Sequence, residues 1–361
     1  MINKDNLNSN KKKFRFNKWF FGAVILSVFL FFFFRAVSLG LLSGEIDSRF
    51  EIQKVFFLPA VNKEVQTESK PLKIGIITDT HVRPSRMGQY SNELHMVERR
   101  LTPSQLAPIN AFVMEMEKFQ PDLIIHLGDV IEGSGDTEEI GRLGLKLVKE
   151  ELEKVGVPIL WVLGNHELRA VTKEQFKDSL GINYLDEYFD WGDYRLIILD
   201  ANHSKKVSKE ESENSLNLKL SSGFLPEETL DWLEDALDTP KATFVFCHYA
   251  IFDQVFFGEK GRPRLSLKPA ARVRDLFENY EVSGVFNGHI EYRRFEETNG
   301  VKYFSLPGTV KSKTYPGSFY TLTIDKGEPK LKMFYQAGGR HGEYVDVSFE
   351  DEESFLELNN D

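Results

Sequence analysis

The sequence predicts an α/β protein, a sandwich of two sheets flanked by helices and preceded by one N-terminal transmembrane helix. Three observations carry that prediction. From Lys73 onward, short β-branched runs alternate with amphipathic stretches, the pattern of parallel strands joined by right-handed helical crossovers. Past Arg294 the chain changes to strands folding back at Asn299-Gly300 and Lys326-Gly327, hairpin signals that imply an antiparallel half. At the start, Trp19 to Phe34 carries no charge, and with Ala36 to Leu42 it reaches about the ~20 residues that a bilayer-crossing helix needs.

Residues 1–18 form a basic segment, 19–42 a membrane anchor or uncleaved signal, 43–70 a connector, 71–337 the folded domain and 338–361 an acidic tail. Residues 1 to 35 hold Lys4, Lys11, Lys12, Lys13, Arg15, Lys18 and Arg35 against Asp5, a net +6, so the rest of the chain carries -16 of the total -10. The positive-inside tendency places the basic end in the cytoplasm and everything after Leu42 on the extracytoplasmic side of the cell membrane. A cleaved signal peptide is the competitor, but Ala36-Val37-Ser38 matches a small-x-small cleavage site poorly. The acidic remainder argues against a nucleic-acid partner. The lone Cys247 excludes a disulfide framework and any multi-cysteine metal site.

Within the domain, KIGIITDTH (73–81) reads as the first strand, and a helix follows from the cap Thr102 and first-turn Pro103 to about Phe119. LIIHLGDV (123–130) is the next strand, then a charged helix to about Val155, then ILWVLGNHE (159–167) as a central strand. A short helix near Thr172 to Leu180, a strand at 193–200 and a helix at 226–237 lead to TFVFCHYA (243–250) and VSGVFNGHI (282–290). The polar stretches His203 to Gly223 and Gln254 to Lys268 are expected to be surface loops, with His203 on the surface. His126, inside a strand, is expected in the core or behind the site.

Each apolar run ends in oxygen or imidazole donors: Asp79 and His81, Asp129, Asn165 and His166, His248, and His289 with Glu291. Parallel sheets bring such strand ends to one edge, where open α/β folds bind their ligands. About seven donors are too many for one tetrahedral zinc and suit two ions sharing a carboxylate. Paired ions convert a bridging water to hydroxide near neutral pH and clamp phosphoryl oxygens, which is the chemistry of phosphate-ester hydrolysis.

DTH at 79–81, GD at 128–129, GNHE at 164–167, His248 in FCHYA and GHIE at 288–291 together resemble the five ordered blocks of the calcineurin-like metallophosphoesterase family, over roughly Lys73 to Tyr335. The resemblance implies a two-sheet metallophosphoesterase sandwich and two divalent ions (Mn, Fe, Mg or Zn). One ion would be held by Asp79, His81 and Asp129, the other by Asp129, Asn165, His248 and His289, with Asp129 bridging. It implies that His166 assists the leaving group without binding metal, held by Glu132. The stretch at 223–237 also looks like the branch containing cyclic-nucleotide phosphodiesterases and manganese-dependent nucleotide diphosphatases.

One position departs from the family. Its last block is usually Gly-His-x-His, and this chain has Glu291 where the second histidine would complete the first metal site. A carboxylate there hardens the site toward Mn, Mg or Fe and away from zinc. Arg83, Arg169 and Tyr249 flank the donors and are candidates for holding phosphate oxygens. The expected function is a membrane-anchored phosphoesterase acting on a mono- or diester (phospholipid, lipid-linked diphosphate or nucleotide) through a metal-bridging hydroxide. The rival is an inactive binding module with an impaired first metal site.

Overall fold

The computed structural model describes residues 70–86, 99–204, 222–251, 267–291, 293–310, 317–335 and 343–346. The expected membrane helix at 19–42, the connector and the last residues from Phe349 lie outside the described residues. Among the described residues, no helix is long and apolar enough to cross a membrane.

The chain runs β1 (Leu72–Ile77), the two-residue strands β2 (Ser85–Arg86) and β3 (Arg99–Arg100), α1 (Pro103–Phe119), β4 (Leu123–His126), α2 (Glu138–Leu152), β5 (Ile159–Trp161) and α3 (Lys173–Leu180). It continues with β6 (Glu187–Trp191), β7 (Tyr194–Leu199), α4 (Glu227–Leu237), β8 (Ala242–Cys247), α5 (Ala270–Asn279) and β9 (Gly284–Asn287). The last strands are β10 (Arg294–Thr298), β11 (Val301–Ser305), β12 (Phe319–Asp325), β13 (Glu328–Tyr335) and β14 (Glu343–Asp346).

Helix boundaries follow local chemistry. At α1, the Thr102 hydroxyl accepts from the Gln105 backbone while the Gln105 side chain accepts from the Thr102 backbone, a reciprocal cap with Pro103 at the first position. Thr172 and Gln175 repeat the device at α3. α5 and β6 carry no comparable sequence signal; the turn before α5 begins with Pro269, which makes no side-chain cap.

Two six-stranded sheets result, in the orders β14-β13-β12-β1-β4-β5 and β10-β11-β9-β8-β7-β6. Both are mixed, which corrects the expectation of a separate antiparallel half. The hairpins form as predicted, but β10-β11 joins the second sheet by pairing β11 parallel to β9, and β12-β13 joins the first by pairing β12 antiparallel to β1. The hairpin turn fixes only its own two strands; the partner of the outer strand is a long-range choice. A second correction concerns the boundary at 337: Glu343–Asp346 extends the first sheet by pairing with β13, so the domain continues into the acidic stretch.

One apolar cluster fills the space between the first sheet and α1, α2 and α3, with Phe112, Met116, Val148 and Phe176 all fully buried. Another lies between the second sheet and α4 and α5, around Leu233, Val245 and Phe277. Each such side chain contributes roughly 1.5–3 kcal/mol by leaving water. Gly75 in β1 marks the closeness of α1: a Cβ there would sit 2.4 Å from the Met116 sulfur. With both sheets braced from outside, the carboxyl ends of β1, β4, β5, β8 and β9 are held at one edge.

Candidate metal centre

The predicted donors meet at that edge. His81 Nε2 lies 3.6 Å from Asp79 Oδ1, 3.6 Å from Asp129 Oδ2 and 3.4 Å from Glu291 Oε1. His248 Nε2 lies 3.3 Å from Asp129 Oδ2, 3.2 Å from Asn165 Oδ1 and 3.1 Å from His289 Nδ1. Three overlapping donor groups therefore form among the described residues, Asp79 with His81 and Glu291, Asp129 with His248 and His289, and His81 with Asp129 and His166, each within 4.8 Å. Asp129 stands between them.

The backbone is bent to deliver these groups. Asp79, His81, Asp129, His289 and Glu291 all have positive φ, from 43° to 66°. Non-glycine residues adopt that region rarely and at a cost, so its concentration on five predicted site residues marks strain kept for position. Gly128, at φ 96°, precedes Asp129 where a Cβ would lie 2.7 Å from the Gly164 nitrogen and 2.8 Å from His248 Nδ1. Only glycine lets the two strand ends approach so closely.

Hydrogen bonds outside the donor set aim it. His248 Nδ1 lies 2.8 Å from the Leu127 carbonyl oxygen; donating there leaves Nε2 free to face Asp129. Thr78 Oγ1 donates to Asp79 Oδ2 at 2.6 Å, and the His289 N–H donates to the same oxygen at 3.2 Å. Asp79 Oδ1 and both ring nitrogens of His81 are buried with no hydrogen-bond partner among the described residues. Buried polar atoms left so are costly unless a ligand takes them, and carboxylate, amide and imidazole donors in this arrangement fit two divalent ions sharing Asp129.

The electrostatics agree. Burial alone would pull His81 and His248 down, yet the facing carboxylates win: Asp79 and Glu291 hold His81 up to about 10, and Asp129 holds His248 up to about 9. Burial would raise Asp129, and the surrounding His248, His81 and His166 keep it well below the usual carboxylate range. The carboxylates at the convergence point thus favour positive charge beside them.

His126 behaves oppositely. It is fully buried and stacked on Trp161, and burial pushes it down to about 3. Its Nδ1 accepts from the Gly128 N–H, so Nε2 carries the proton, 3.2 Å from Thr80 Oγ1. The neutral ring is held in one tautomer behind the site. A folded pKa below the unfolded value of about 6.5 means the unfolded chain binds the extra proton between about pH 3 and 6.5. Stability from this group is present above pH 6.5 and is lost as pH falls toward 3. Urea unfolding should show a pH slope over that window that is shallower in His126→Gln than in the parent; equal slopes would refute the assignment.

The remaining candidates are placed as follows. His166 Nδ1 lies 2.8 Å from the Glu132 carbonyl oxygen, with the Glu132 carboxylate at 3.7 Å, so the backbone of Glu132 makes the closer contact. Arg169 reaches His166 Nδ1 at 2.8 Å and Ser134 at 2.9 Å. Arg83 binds Asp136 at 2.6 Å, with half its side chain exposed. Tyr249 corrects an expectation: it is fully buried and its hydroxyl donates to Asn202 at 2.9 Å, which leaves nothing to offer a phosphate oxygen. His203 is also buried, with Nε2 3.7 Å from Asp200, because the chain after β7 turns inward over the Lys173–Asp200 pair. Sequence reasoning missed Glu167, whose buried carboxylate accepts from the N–H groups of Asp129, Ile131 and Gly164. Burial and the neighbouring Asp129 raise it to about 7. Its only signal was an acid closing the Gly-Asn-His-Glu turn that follows an apolar strand.

Such a sandwich, with a shared-carboxylate donor set at the strand ends, defines a metal-dependent phosphoester hydrolase whose cofactors are two divalent metal ions. The chain belongs to the calcineurin-like phosphoesterase family, whose model matches residues 72–291. A relative from Xenopus tropicalis, the manganese-dependent ADP-ribose/CDP-alcohol diphosphatase, is 20% identical over 315 residues, spanning 72% of this chain and 90% of that protein. The crystal structure of a dimetal phosphatase from Danio rerio matches with a TM-score of 0.54 at 17% identity, covering 77% of this chain and 100% of that one. GAP50, the anchor in the inner membrane complex of Plasmodium, matches at 0.51 and 12% identity, over 77% of this chain and 89% of that one. At these identities the structural likeness is one of fold.

Proposed function

We propose that this chain is a membrane-anchored, manganese-using phosphoesterase whose domain lies on the extracytoplasmic side, and that it cleaves a diphosphate linkage bearing a nucleoside or lipid alcohol. The observation that carries the reading is the pair of donor groups meeting at Asp129 with His166 beside them. The basic start and the apolar run at 19–42 support the anchor. The diphosphatase relative supports the linkage and the metal. Asp79, His81, Asp129 and Glu291 hold the first ion, and Asp129, Asn165, His248 and His289 hold the second. When bound, the ions activate water and neutralise phosphoryl oxygens.

The chain's own groups do the rest. His166, part-buried with Nε2 3.8 Å from Asp129 Oδ2, is close enough to be a donor itself. We assign it to the leaving group because its Nδ1 lies 2.8 Å from the Glu132 carbonyl oxygen, and donating there orients the ring with Nε2 toward Asp129. Arg169, and Arg83 when it leaves Asp136, supply positive charge to substrate oxygens. The Glu291 carboxylate, 3.4 Å from His81 Nε2, supports a complete first site over the rival reading of an inactive binding module.

Metal analysis of the full-length chain with turnover of a bis-nitrophenyl phosphate and of CDP-alcohols under Mn tests the reading. Two ions per chain and turnover are expected; fewer than one ion and no turnover would overturn it. Glu291→His should shift preference toward zinc, raising its affinity relative to Mn by about tenfold or more. An unchanged Zn-to-Mn ratio in competition binding would remove Glu291 from the first site.

A further inference from the structure

The second site draws ligands from both sheets: Asp129 and Asn165 follow β4 and β5, whereas His248 and His289 follow β8 and β9. Strand ladders fix spacing within a sheet and leave the spacing between sheets to side chains. Asn202, fully buried three residues past the end of β7 of the second sheet, reaches across to the first. Its Nδ2 donates to the Leu163 carbonyl at 2.8 Å, two residues before Asn165, and to Asp200 Oδ1 at 3.0 Å. Its Oδ1 accepts from the Tyr249 hydroxyl at 2.9 Å, one residue after His248.

Both ends of this tie are themselves held. Asp200 Oδ1 accepts from the Asn202 N–H at 2.8 Å, and Asp200 Oδ2 accepts from Lys173 Nζ at 2.5 Å, a pair 1% and 2% exposed. The Tyr249 ring lies 4.6 Å from the His289 ring and 5.4 Å from that of His248. Asn287 Nδ2 donates to the Tyr249 carbonyl at 2.8 Å, fixing its backbone. With both N–H groups and the oxygen of its amide committed, Asn202 has one orientation. A buried ion pair with an amide and a phenol is a poor means to stability alone, because packed apolar residues do as well. Groups behind a metal site that orient its ligands are a recognised use of such polar arrays.

We propose that Asn202, backed by Asp200 and Lys173 and acting through Leu163 and Tyr249, is a positioning residue that sets the spacing of the second metal site across the two sheets. The inference rests on the assignment of Asn165, His248 and His289 to the second ion. Mn binding to the full-length chain is measured by titration calorimetry and by electron paramagnetic resonance, for the parent, Tyr249→Phe and Asn202→Leu. His248→Ala serves as reference for which ion is the second.

In both variants the dissociation constant of the ion lost in His248→Ala should rise by about 10- to 100-fold, with that of the other ion within about threefold of the parent. The spin-coupled signal of the ion pair should weaken accordingly. Tyr249→Phe removes one hydroxyl and keeps the ring, so it decides the matter if Asn202→Leu does not fold. Two unchanged affinities, or equal losses at both sites, would overturn the proposal while leaving the site assignment intact. Fewer than two ions on the parent would overturn the assignment and the proposal with it.

Discussion

Asp129→Asn is expected to release both ions and lower turnover by at least about a thousandfold, the largest effect of any single substitution here. Asp129 Oδ2 lies within 3.8 Å of His81, His166 and His248, so one carboxylate neutralises the centre shared by both donor groups. An amide of the same shape offers no charge to divide between two dications. Asparagine is the informative replacement because the residue has φ 53°, a conformation that asparagine tolerates, so the backbone is preserved. Elemental analysis after gel filtration should give fewer than one ion per chain, with the circular dichroism spectrum retained. Two ions still bound would show that Asp129 does not bridge.

His166→Ala should leave the metal content at two ions and slow cleavage of an ester with a poor leaving group by roughly 10²- to 10⁴-fold, the usual contribution of proton transfer. An activated nitrophenyl ester, whose alcohol departs without a proton, should be affected far less. The contrast follows from the placement of His166: its backbone N–H donates to Asp129 Oδ1 at 2.8 Å and its ring Nδ1 lies 2.8 Å from the Glu132 carbonyl oxygen. Equal losses on both esters, or loss of an ion, would make His166 a ligand instead of an acid.

The site was far more legible in the sequence than the fold that assembles it. Asp79, His81, Asp129, Asn165, His248, His289 and Glu291 could be picked out because each ends an apolar run, and a run buried on both faces has few reasons to finish in a metal donor. The structure brings their side chains together, with His166 among them. Asn202 and Glu167 escaped because their work is to hold backbone: an amide or carboxylate bonded to N–H and C=O groups leaves no spacing pattern. Tyr249 was misread because adjacency to a donor in sequence says nothing about what a side chain meets; its ring packs behind His248 and His289 and its hydroxyl is taken by Asn202.

By itself, the sequence determined the long buried strands, the capped helices α1 and α3, the hairpin turns and the donor at each strand end, though not β6, α5 or β14, since the former are set by residues within a few positions of one another. It also carries the basic and apolar start on which the anchor proposal stands. Tertiary structure alone decided which sheet each hairpin joined, that β14 extends the first sheet, and how His81, His248 and Glu291 face Asp129. Those outcomes depend on pairing and packing between segments far apart in the chain, as with Leu72 and Ile324 in the β1–β12 pair, where the free energy of one arrangement over another is a sum over many weak contacts that no local pattern records.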